Sequence, residues 1–277
     1  MGEVLDFNKQ VVDEFRAHRG VVGGFFEGAR LILLTTTGAR SGRAHTVPLG
    51  YLPDEDGILV IGSAGGTPRH PAWYHNLLAS PEATVEDGTF TYRATAEVLT
   101  GAERDDVWAR AVEADAGWAA YQEKTTRVLP VVRLRQAGFS PPGGSSFGEA
   151  LKLVHDAFRR ELATIRREVA ASGPTLGAQL KINCLVACQG LRGHHDREEQ
   201  AMFPALAERF PEAAPAIGLL RQEHEKVAAL IESLQAAVRS PAADRKRVVS
   251  EVDGLVAELL AHLDHEEELV VPLLDLP

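Results

Sequence analysis

The sequence predicts an α+β protein of two domains, a small antiparallel β-barrel followed by an up-and-down four-helix bundle. Its 277 residues exceed what a single small core usually holds, which favours two domains. Short β-rich runs separated by turn residues fill the first half, whereas long stretches with helical spacing fill the second. Proline and glycine crowd residues 137–148, which predicts a linker between a domain at 1–136 and one at 149–277.

The first half begins with helical spacing of apolar residues from Phe7 to His18, and a run of glycines then breaks this pattern. Beyond the glycines come short runs rich in β-branched and aromatic residues, bounded by turn residues. These runs predict strands at 31–37, 47–52, 58–62, 83–86, 89–98 and 128–134, with helices at 71–80 and 102–122. Many short strands with few helices are typical of a small antiparallel barrel.

The second half predicts four long helices, at 147–171, 175–209, 213–239 and 244–270. The dipeptides Gly173-Pro174, Phe210-Pro211 and Ser240-Pro241 separate them. Because connections this short join antiparallel neighbours, the helices are expected to form an up-and-down bundle.

The bundle helices carry a repeated pattern of histidine and glutamate. On two helices a His and a Glu stand four residues apart, which puts both on one helix face. On the other two, a single His lies in the middle of an apolar stripe. Imidazoles and carboxylates aimed at one axis predict a metal site, and this mixture suits iron or manganese better than a thiolate-seeking metal. The six candidate ligands are His155, His194, Glu198, His224, His262 and Glu266.

A second pair one residue further along, His195 and Glu199, has the same spacing as the first pair and lies about 100° away around the helix. We prefer the earlier pair because an apolar residue and a proline follow its histidine at nine and ten residues, as they follow His262. These residues, Phe203-Pro204 and Val271-Pro272, are expected to close their helices. His195, Glu199 and His265 are then expected to support the ligands from outside or to lie on the surface.

One stretch between two predicted strands, Thr35 to Arg43, combines glycines, hydroxyls and arginines. Glycines let backbone amides approach an anion, hydroxyls donate hydrogen bonds, and arginines neutralise phosphate or carboxylate charge. A second glycine-rich turn at 62–66 runs into a helix that begins with Trp73 and Tyr74, whose flat side chains could wall a planar ring. The alternatives are a plain hairpin for the first stretch and a proline-initiated helix with aromatic core anchors for the second.

Three motifs, LLTTTGxRSGxxxTVPL, GSxGGxPRHPAWYHNLLA and YQEKTTRVLPVV, occur in order over about residues 5–136. In this order and spacing they resemble the deazaflavin-dependent nitroreductase family. The resemblance implies a split β-barrel that binds the deazaflavin coenzyme F-420 and reduces quinones or nitro compounds by hydride transfer. It assigns the coenzyme's phosphate and oligoglutamate tail to Gly38, Arg40, Ser41, Gly42 and Arg43, its ring system to Thr46, Pro48, Ser63, Gly65, Trp73 and Asn76, and the catalytic, substrate-facing position to Tyr121.

One position departs from that family. Where its members commonly carry a lysine in the serine-glycine turn, this chain has Ala64. Loss of a cation beside the ring or the tail favours FMN, which related split barrels bind, as the alternative cofactor.

The last 129 residues or so, with their His and HxxxE repeats, resemble the hemerythrin-like HHE domains, which are four-helix bundles that hold a non-haem di-iron centre. The resemblance implies two irons with positions open to O₂, peroxide or NO. Three interpretations of the fusion stay open. The reductase passes electrons to the di-iron centre, or the bundle senses oxygen or iron and gates an independent reductase. In the third, the barrel binds a cofactor only as a scavenger or carrier.

Charge and terminal sequence bear on partners and location. The net charge is −10, with 14 basic and 18 acidic residues in 1–140 and 15 and 21 in the remainder. Neither half is basic, so nucleic acid is a poor candidate partner. The sequence shows no signal peptide and no apolar run long enough to span a bilayer, so we expect a cytoplasmic protein. The oligomeric state does not follow from the sequence.

Overall fold

The computed structural model describes residues 2–140, 146–240 and 245–276, without the side chains of 2–6 and 138–140. The chain divides into two compact units, Met1–Gly143 and Gly144–Pro277. The first contains a barrel and the second a bundle, and the predicted α+β class with these two architectures is confirmed.

The first unit is a closed antiparallel barrel in the strand order β1-β2-β3-β6-β5-β4, in which β4 pairs back with β1. Because the barrel is closed, no strand edge is left unpaired, and this six-stranded sheet offers no edge at which another chain could pair and aggregate. The strands are β1 Leu31–Thr37, β2 Ala44–Asp54, β3 Gly57–Ile61, β4 Glu82–Glu86, β5 Thr91–Val98 and β6 Val131–Ser140.

Both faces of β1 are covered, which explains its unbroken apolar run. Ile32 and Leu34 pack in the barrel cluster, whereas Leu31 and Leu33 pack against the first helix through a cluster that includes Phe15. The helices of this unit are α1 Gly2–Ala17, α2 Ala72–Ala79, α3 Gly101–Ala114 and α4 Gly117–Glu123.

The single helix predicted at 102–122 is wrong, because it is divided between α3 and α4. Asp115 adopts an extended conformation at the end of α3, and its Oδ1 accepts a hydrogen bond from the N–H of Gly117 at 2.7 Å. An Asp side chain that satisfies a backbone donor two residues on favours a turn over a continuous helix.

Secondary structure extends into both ends of the predicted linker 137–148. Strand β6 runs on to Ser140, which pairs with Thr91 of β5. The next helix begins at Phe147, where the Ser146 hydroxyl accepts a hydrogen bond from the N–H of Glu149. The remaining linker residues 141–145 lie outside the described residues.

Four long helical segments, the second of which is divided into two helices by a π-helical segment, form the bundle of the second unit around two apolar clusters. The helices are α5 Phe147–Ala171, α6 Ala178–Arg197, α7 Phe203–Arg209, α8 Ala214–Arg239 and α9 Arg245–Leu274. Within the described residues, none of these helices is both long and apolar enough to cross a membrane.

Neither proline that was expected to close a helix does so. Pro204 lies in the first turn of α7, which follows α6 through a π-helical segment at Glu198–Met202, and Pro272 lies inside α9. A proline lacks an N–H and its ring clashes with the carbonyl four residues earlier. The wider π turn before Pro204 relieves this conflict, so the helical path continues to Arg209.

Candidate cofactor and metal sites

The loop between β1 and β2 is a tight turn that presents its arginines to solvent. The N–H of Gly38 donates to the Arg43 carbonyl, and the N–H of Gly42 donates to the Gly38 carbonyl, both at 2.8 Å. A β-carbon on Gly38 would collide with the Ser41 hydroxyl and the His45 ring, so any other residue there would displace these side chains. Arg40 and Arg43 are exposed. The loop is therefore ordered by its own backbone while its cations remain available to an anion.

Ser41 and Asn76 shape this loop from its two sides. The Ser41 hydroxyl lies 3.1 Å from His45 Nε2 and accepts the N–H of Arg43 at 3.3 Å. Asn76 of α2 is buried; its Nδ2 donates to the Thr36 hydroxyl at 3.0 Å, and its Oδ1 accepts the N–H of Ala39 at 2.9 Å. Asn76, which the resemblance assigns to the coenzyme ring, thus connects α2 to the start of the β1–β2 loop.

The second turn, at 62–67, is held by Arg127, a residue that the sequence reasoning did not single out. Its guanidinium donates to the carbonyls of Thr67 (2.8 Å), Gly62 (2.9 Å) and Ser63 (2.6 Å), and lies 3.1 Å from His70 Nδ1. Partial burial lowers the pKa of Arg127. Arg127 belongs to the third motif, but only the folded chain brings it to a turn 60 residues earlier.

The turn itself has an unusual backbone. Ala64, Gly65 and Gly66 have φ of 47°, 64° and 79°. Two of these left-handed positions carry glycine, and Ala64 is one of the two non-glycine residues with positive φ among the described residues. Three fixed carbonyl contacts from Arg127 hold the turn in this conformation despite the steric cost at Ala64.

The remaining ring-facing candidates differ in accessibility. Thr46 shares a 2.8 Å hydroxyl contact with Thr35, and Pro48 and Ser63 are half-buried while Gly65 is exposed. Trp73 packs in the barrel cluster, which supports its interpretation as a core anchor. Tyr121 is half-buried, with Lys124 Nζ 5.3 Å from its ring centroid.

The bundle brings all six predicted ligands together, in two neighbouring groups. His155, His194, Glu198 and Glu266 form one group, and His224 and His262 join His195 in the other. Within each group, one ligand atom per residue lies within 4.8 Å of all the others. All seven residues are buried.

His195, expected outside the ligand set, faces the centre instead. It is 6 % exposed, and its ring stacks on His224 with centroids 4.2 Å apart. Its Nε2 is buried with no hydrogen-bond partner among the described residues. His194 and His195 are about 100° apart around α6, and they enter different groups of the candidate site. Glu199 does stand outside, as expected, and contacts His224.

Carboxylates outside the centre set the orientation of three imidazoles. The Nδ1 atoms of His155, His224 and His262 each lie 2.9 Å from a carboxylate oxygen, of Glu267, Glu199 and Glu223 respectively. A ring that donates its Nδ1–H outward carries its lone pair on Nε2, which points inward. His265 also contacts Glu223 at 2.9 Å.

The inward-pointing Nε2 atoms lie so close together that their lone pairs would repel each other unless a cation were bound. His224 Nε2 and His262 Nε2 are 3.1 Å apart, and both are acceptors once their Nδ1–H groups donate outward. A shared proton would relieve the repulsion, but burial lowers the pKa of His224. Burial also lowers the pKa of His194, and it lowers the pKa of His195 to about 2. A metal ion relieves it without protonation.

Glu198 and Glu266 connect the two groups. Glu198 lies 3.0 Å from His194 Nε2 and 3.6 Å from His224 Nε2, and Glu266 lies 3.4 Å from His155 Nε2 and 3.6 Å from His262 Nε2. Their four oxygens are buried with no hydrogen-bond partner among the described residues. Burial, reinforced by Glu266, raises the pKa of Glu198 to about 10. Buried carboxylates without hydrogen-bond partners fit a site in which Glu198 and Glu266 would hold cations together with the imidazoles.

Comparisons with known proteins match both units. Residues 7–136 match the family model described as F420H(2)-dependent quinone reductase, and residues 147–274 match that of the hemerythrin HHE cation binding domain. A curated F420H(2)-dependent quinone reductase of Mycobacterium tuberculosis is 36 % identical over 124 residues, which cover 43 % of this chain and 83 % of the relative. A solved F420-H2 dependent reductase is 41 % identical and covers 38 % of this chain and 94 % of that chain, with a TM-score of 0.36.

Proposed function

We propose that this chain, which belongs to the F420H(2)-dependent quinone reductase family through its barrel and carries a hemerythrin HHE domain in its bundle, couples a coenzyme F-420 site to a di-iron centre. The predicted pairing of the two families is confirmed by the two matches. Membership of the reductase family makes the chain an oxidoreductase. The coenzyme, the acceptor and the metal of this particular chain form the proposal.

In the barrel, the chain supplies binding and orientation. Bound coenzyme would supply the hydride. Arg40 and Arg43 would neutralise its phosphate and carboxylate groups, since both guanidiniums extend from the ordered β1–β2 loop into solvent. Asn76 and Arg127 hold the loop and the second turn through buried or half-buried hydrogen bonds. Two separately fixed turns around one ligand would keep the reacting atoms at a constant distance.

The acceptor we propose is a quinone, with nitro compounds as a second class. Two-electron reduction of a quinone by hydride leaves an oxyanion that needs a proton. The Tyr121 hydroxyl is the candidate donor, since Tyr121 is half-buried and has a cation over its ring at 5.3 Å.

The choice of F-420 over FMN has support from Lys124. Ala64 lacks the lysine that the family commonly has in this turn, but the Lys124 side chain stands against the same turn. A β-carbon on Gly66 would lie 2.7 Å from Lys124 Cβ, so the lysine stem passes close to the turn backbone. Lys124, whose ammonium lies 5.3 Å from the Tyr121 ring centroid, is the residue that we propose to supply the missing positive charge.

In the bundle, the proposed cofactor is a non-haem di-iron centre that handles O₂, peroxide or NO. The observation that carries this proposal is the pair of Nε2 atoms 3.1 Å apart on His224 and His262, beside carboxylates whose oxygens have no hydrogen-bond partner in the part of the chain that the structure describes. Imidazole and carboxylate ligands together suit iron. Five imidazoles and two carboxylates would fill most, but not all, of two octahedral coordination shells, so positions remain for an external ligand.

The test is an anaerobic mixture of iron-loaded, oxidised protein with reduced F-420, in which coenzyme and iron absorbance are followed together. Matched rates of change would support one coupled oxidoreductase. Bleaching of the iron by reduced FMN but not by F-420 would overturn the deazaflavin assignment. Oxidation of the coenzyme by added menadione while the iron stays oxidised would favour a bundle that senses oxygen or iron and gates an independent reductase.

A further inference from the structure

His70 connects the second turn of the barrel domain to α2. It follows the turn at 62–67 and precedes Pro71, after which α2 begins at Ala72. Its Nδ1 lies 3.1 Å from Nη1 of Arg127, and the same guanidinium donates to three carbonyls of the turn. His70 is therefore joined to the cation that holds this turn.

The contact with Arg127 determines which nitrogen of the His70 ring carries the proton. A guanidinium has only donors, so Nδ1 of His70 must accept the hydrogen bond. The imidazole is then neutral, with its proton on Nε2. An imidazolium has no lone pair to offer, and its charge would face the guanidinium at close range. Protonation of His70 would therefore replace a hydrogen bond by repulsion.

The surroundings of His70 favour the neutral ring. Burial, Arg127 and His75 lower its pKa from the usual value of 6.5. The ring centroids of Tyr74 and His75 lie 5.0 Å and 5.9 Å from that of His70, and the preceding residue, Arg69, is exposed. Among the described residues, no carboxylate forms an ion pair with His70 that would stabilise an imidazolium.

Helix α2 connects this contact to the other side of the proposed coenzyme site. Asn76 of that helix accepts the N–H of Ala39, in the β1–β2 loop, at 2.9 Å. His70 thus contacts the second turn through Arg127, and through Pro71 it leads into the helix that holds the first loop. A change at His70 would affect the spacing of the two turns that are proposed to hold one ligand.

We propose that His70 is a positioning residue of the coenzyme site, which in its neutral form holds Arg127 and the second turn for F-420 binding and on protonation releases them. The inference rests on the proposed coenzyme site and adds to it a residue and a pH dependence. Because the intact contact lowers the pKa of His70, the contact is complete above about pH 6.5 and is lost as the pH falls through the lowered pKa.

The test is a fluorescence titration of the full-length protein with F-420, from about pH 7.5 down to about pH 5. His70→Asn places an amide oxygen near the position of Nδ1 and does not titrate, so it should bind like the wild type at the higher pH. As the pH falls, the Kd of the wild type should rise about threefold or more beyond that of His70→Asn. Titration of the coenzyme itself affects both proteins equally and cancels in this ratio.

Two further variants separate the hydrogen bond from the charge. His70→Leu removes the acceptor and should bind F-420 weakly at every pH. His75→Asn removes the exposed neighbouring imidazole and should keep the pH dependence of the wild type. Proton NMR titration of the His70 ring, assigned by its loss in His70→Asn, should give a pKa below 6.5 that falls further when F-420 is bound.

The outcomes separate this inference from the function on which it rests. The same pH dependence in the wild type and in His70→Asn would overturn the role of His70. So would tighter binding by the wild type at low pH, since the imidazolium would then attract the anionic coenzyme. If His70→Asn binds weakly at every pH, the NMR titration decides, and a pKa of His70 that does not change when F-420 binds contradicts the inference. A wild-type protein that binds no F-420 at any pH would instead overturn the coenzyme site itself.

Discussion

His224 lies between two aromatic rings, His195 on one face at 4.2 Å between centroids and Phe203 on the other at 5.3 Å, with interplanar angles of 17° and 16°. This stack fixes the plane of the imidazole, while Glu199 fixes its outward nitrogen. The Nε2 of His224 is consequently held at one place in the centre. Phe203, expected to mark the end of a helix, instead packs on a candidate ligand.

His195→Ala should reduce metal binding at one of the two positions. It removes a nitrogen from the three-histidine group and one half of the stack on His224. We expect the metal affinity to fall more than it does when a residue that only supports a ligand is substituted, which is a loss of roughly 10–100-fold. Cobalt(II) titration of the apoprotein, followed by visible absorbance, measures it. His265→Ala removes an imidazole that contacts Glu223 and should retain both positions; equal losses in the two variants would contradict a ligand role for His195.

Glu198→Gln should abolish loading of two metals without destabilising the apoprotein. The amide keeps the shape of the side chain but cannot neutralise two cations, and in the apoprotein it removes a buried ionisable group. Metal analysis and the melting temperature with and without iron are the measurements. A melting temperature several degrees lower in the apo variant would indicate that Glu198 is structural.

Glu198→Ala combined with Glu266→Ala tests whether the two cofactors communicate. If electrons pass between them, loss of iron should change the rate at which the protein oxidises reduced F-420 with menadione as acceptor. Loss of iron with unchanged turnover would leave the reductase independent and remove the support for coupling.

Arg127→Gln should weaken coenzyme binding. The variant loses the donors that reach three carbonyls of the second turn, and the turn then has no fixed conformation around Ala64. We expect a tenfold or larger increase in the Kd for F-420, which is about 1.4 kcal/mol or more. Fluorescence titration measures it. Arg69→Gln, the control, removes an exposed charge beside the same turn. If it lowers the affinity for F-420 as much as Arg127→Gln does, the effect comes from the lost charge and not from the lost hydrogen bonds.

Asn76→Ala should lower both stability and coenzyme affinity. It leaves the Ala39 N–H and the Thr36 hydroxyl without their buried partner, at a cost of about 1–3 kcal/mol. Urea denaturation gives the free energy of unfolding. Leu78→Ala, at an exposed position on the same helix, serves as the control, and it should affect neither quantity. Wild-type stability in Asn76→Ala would show that the loop does not depend on this side chain.

The sequence by itself predicted the architecture, the two families and six of the seven buried residues that form the two candidate metal-binding groups. These features have periodic or local signatures: alternation and turn residues for the barrel, and four-residue spacing for His194 with Glu198 and for His262 with Glu266. A helix face is a property of consecutive residues, so it can be read before the chain folds.

The tertiary structure decided the parts that depend on which surfaces meet. His195 joins a candidate group because the fold brings α8 and α9 to it, so that His224 and His262 lie beside its ring. Arg127 and Asn76 act on turns 60 and 37 residues away in sequence, and Pro204 is accommodated by a π segment that begins at the candidate ligand Glu198. No local pattern encodes these contacts, because a hydrogen bond or a stacked ring depends on the packing of elements that are distant in the chain.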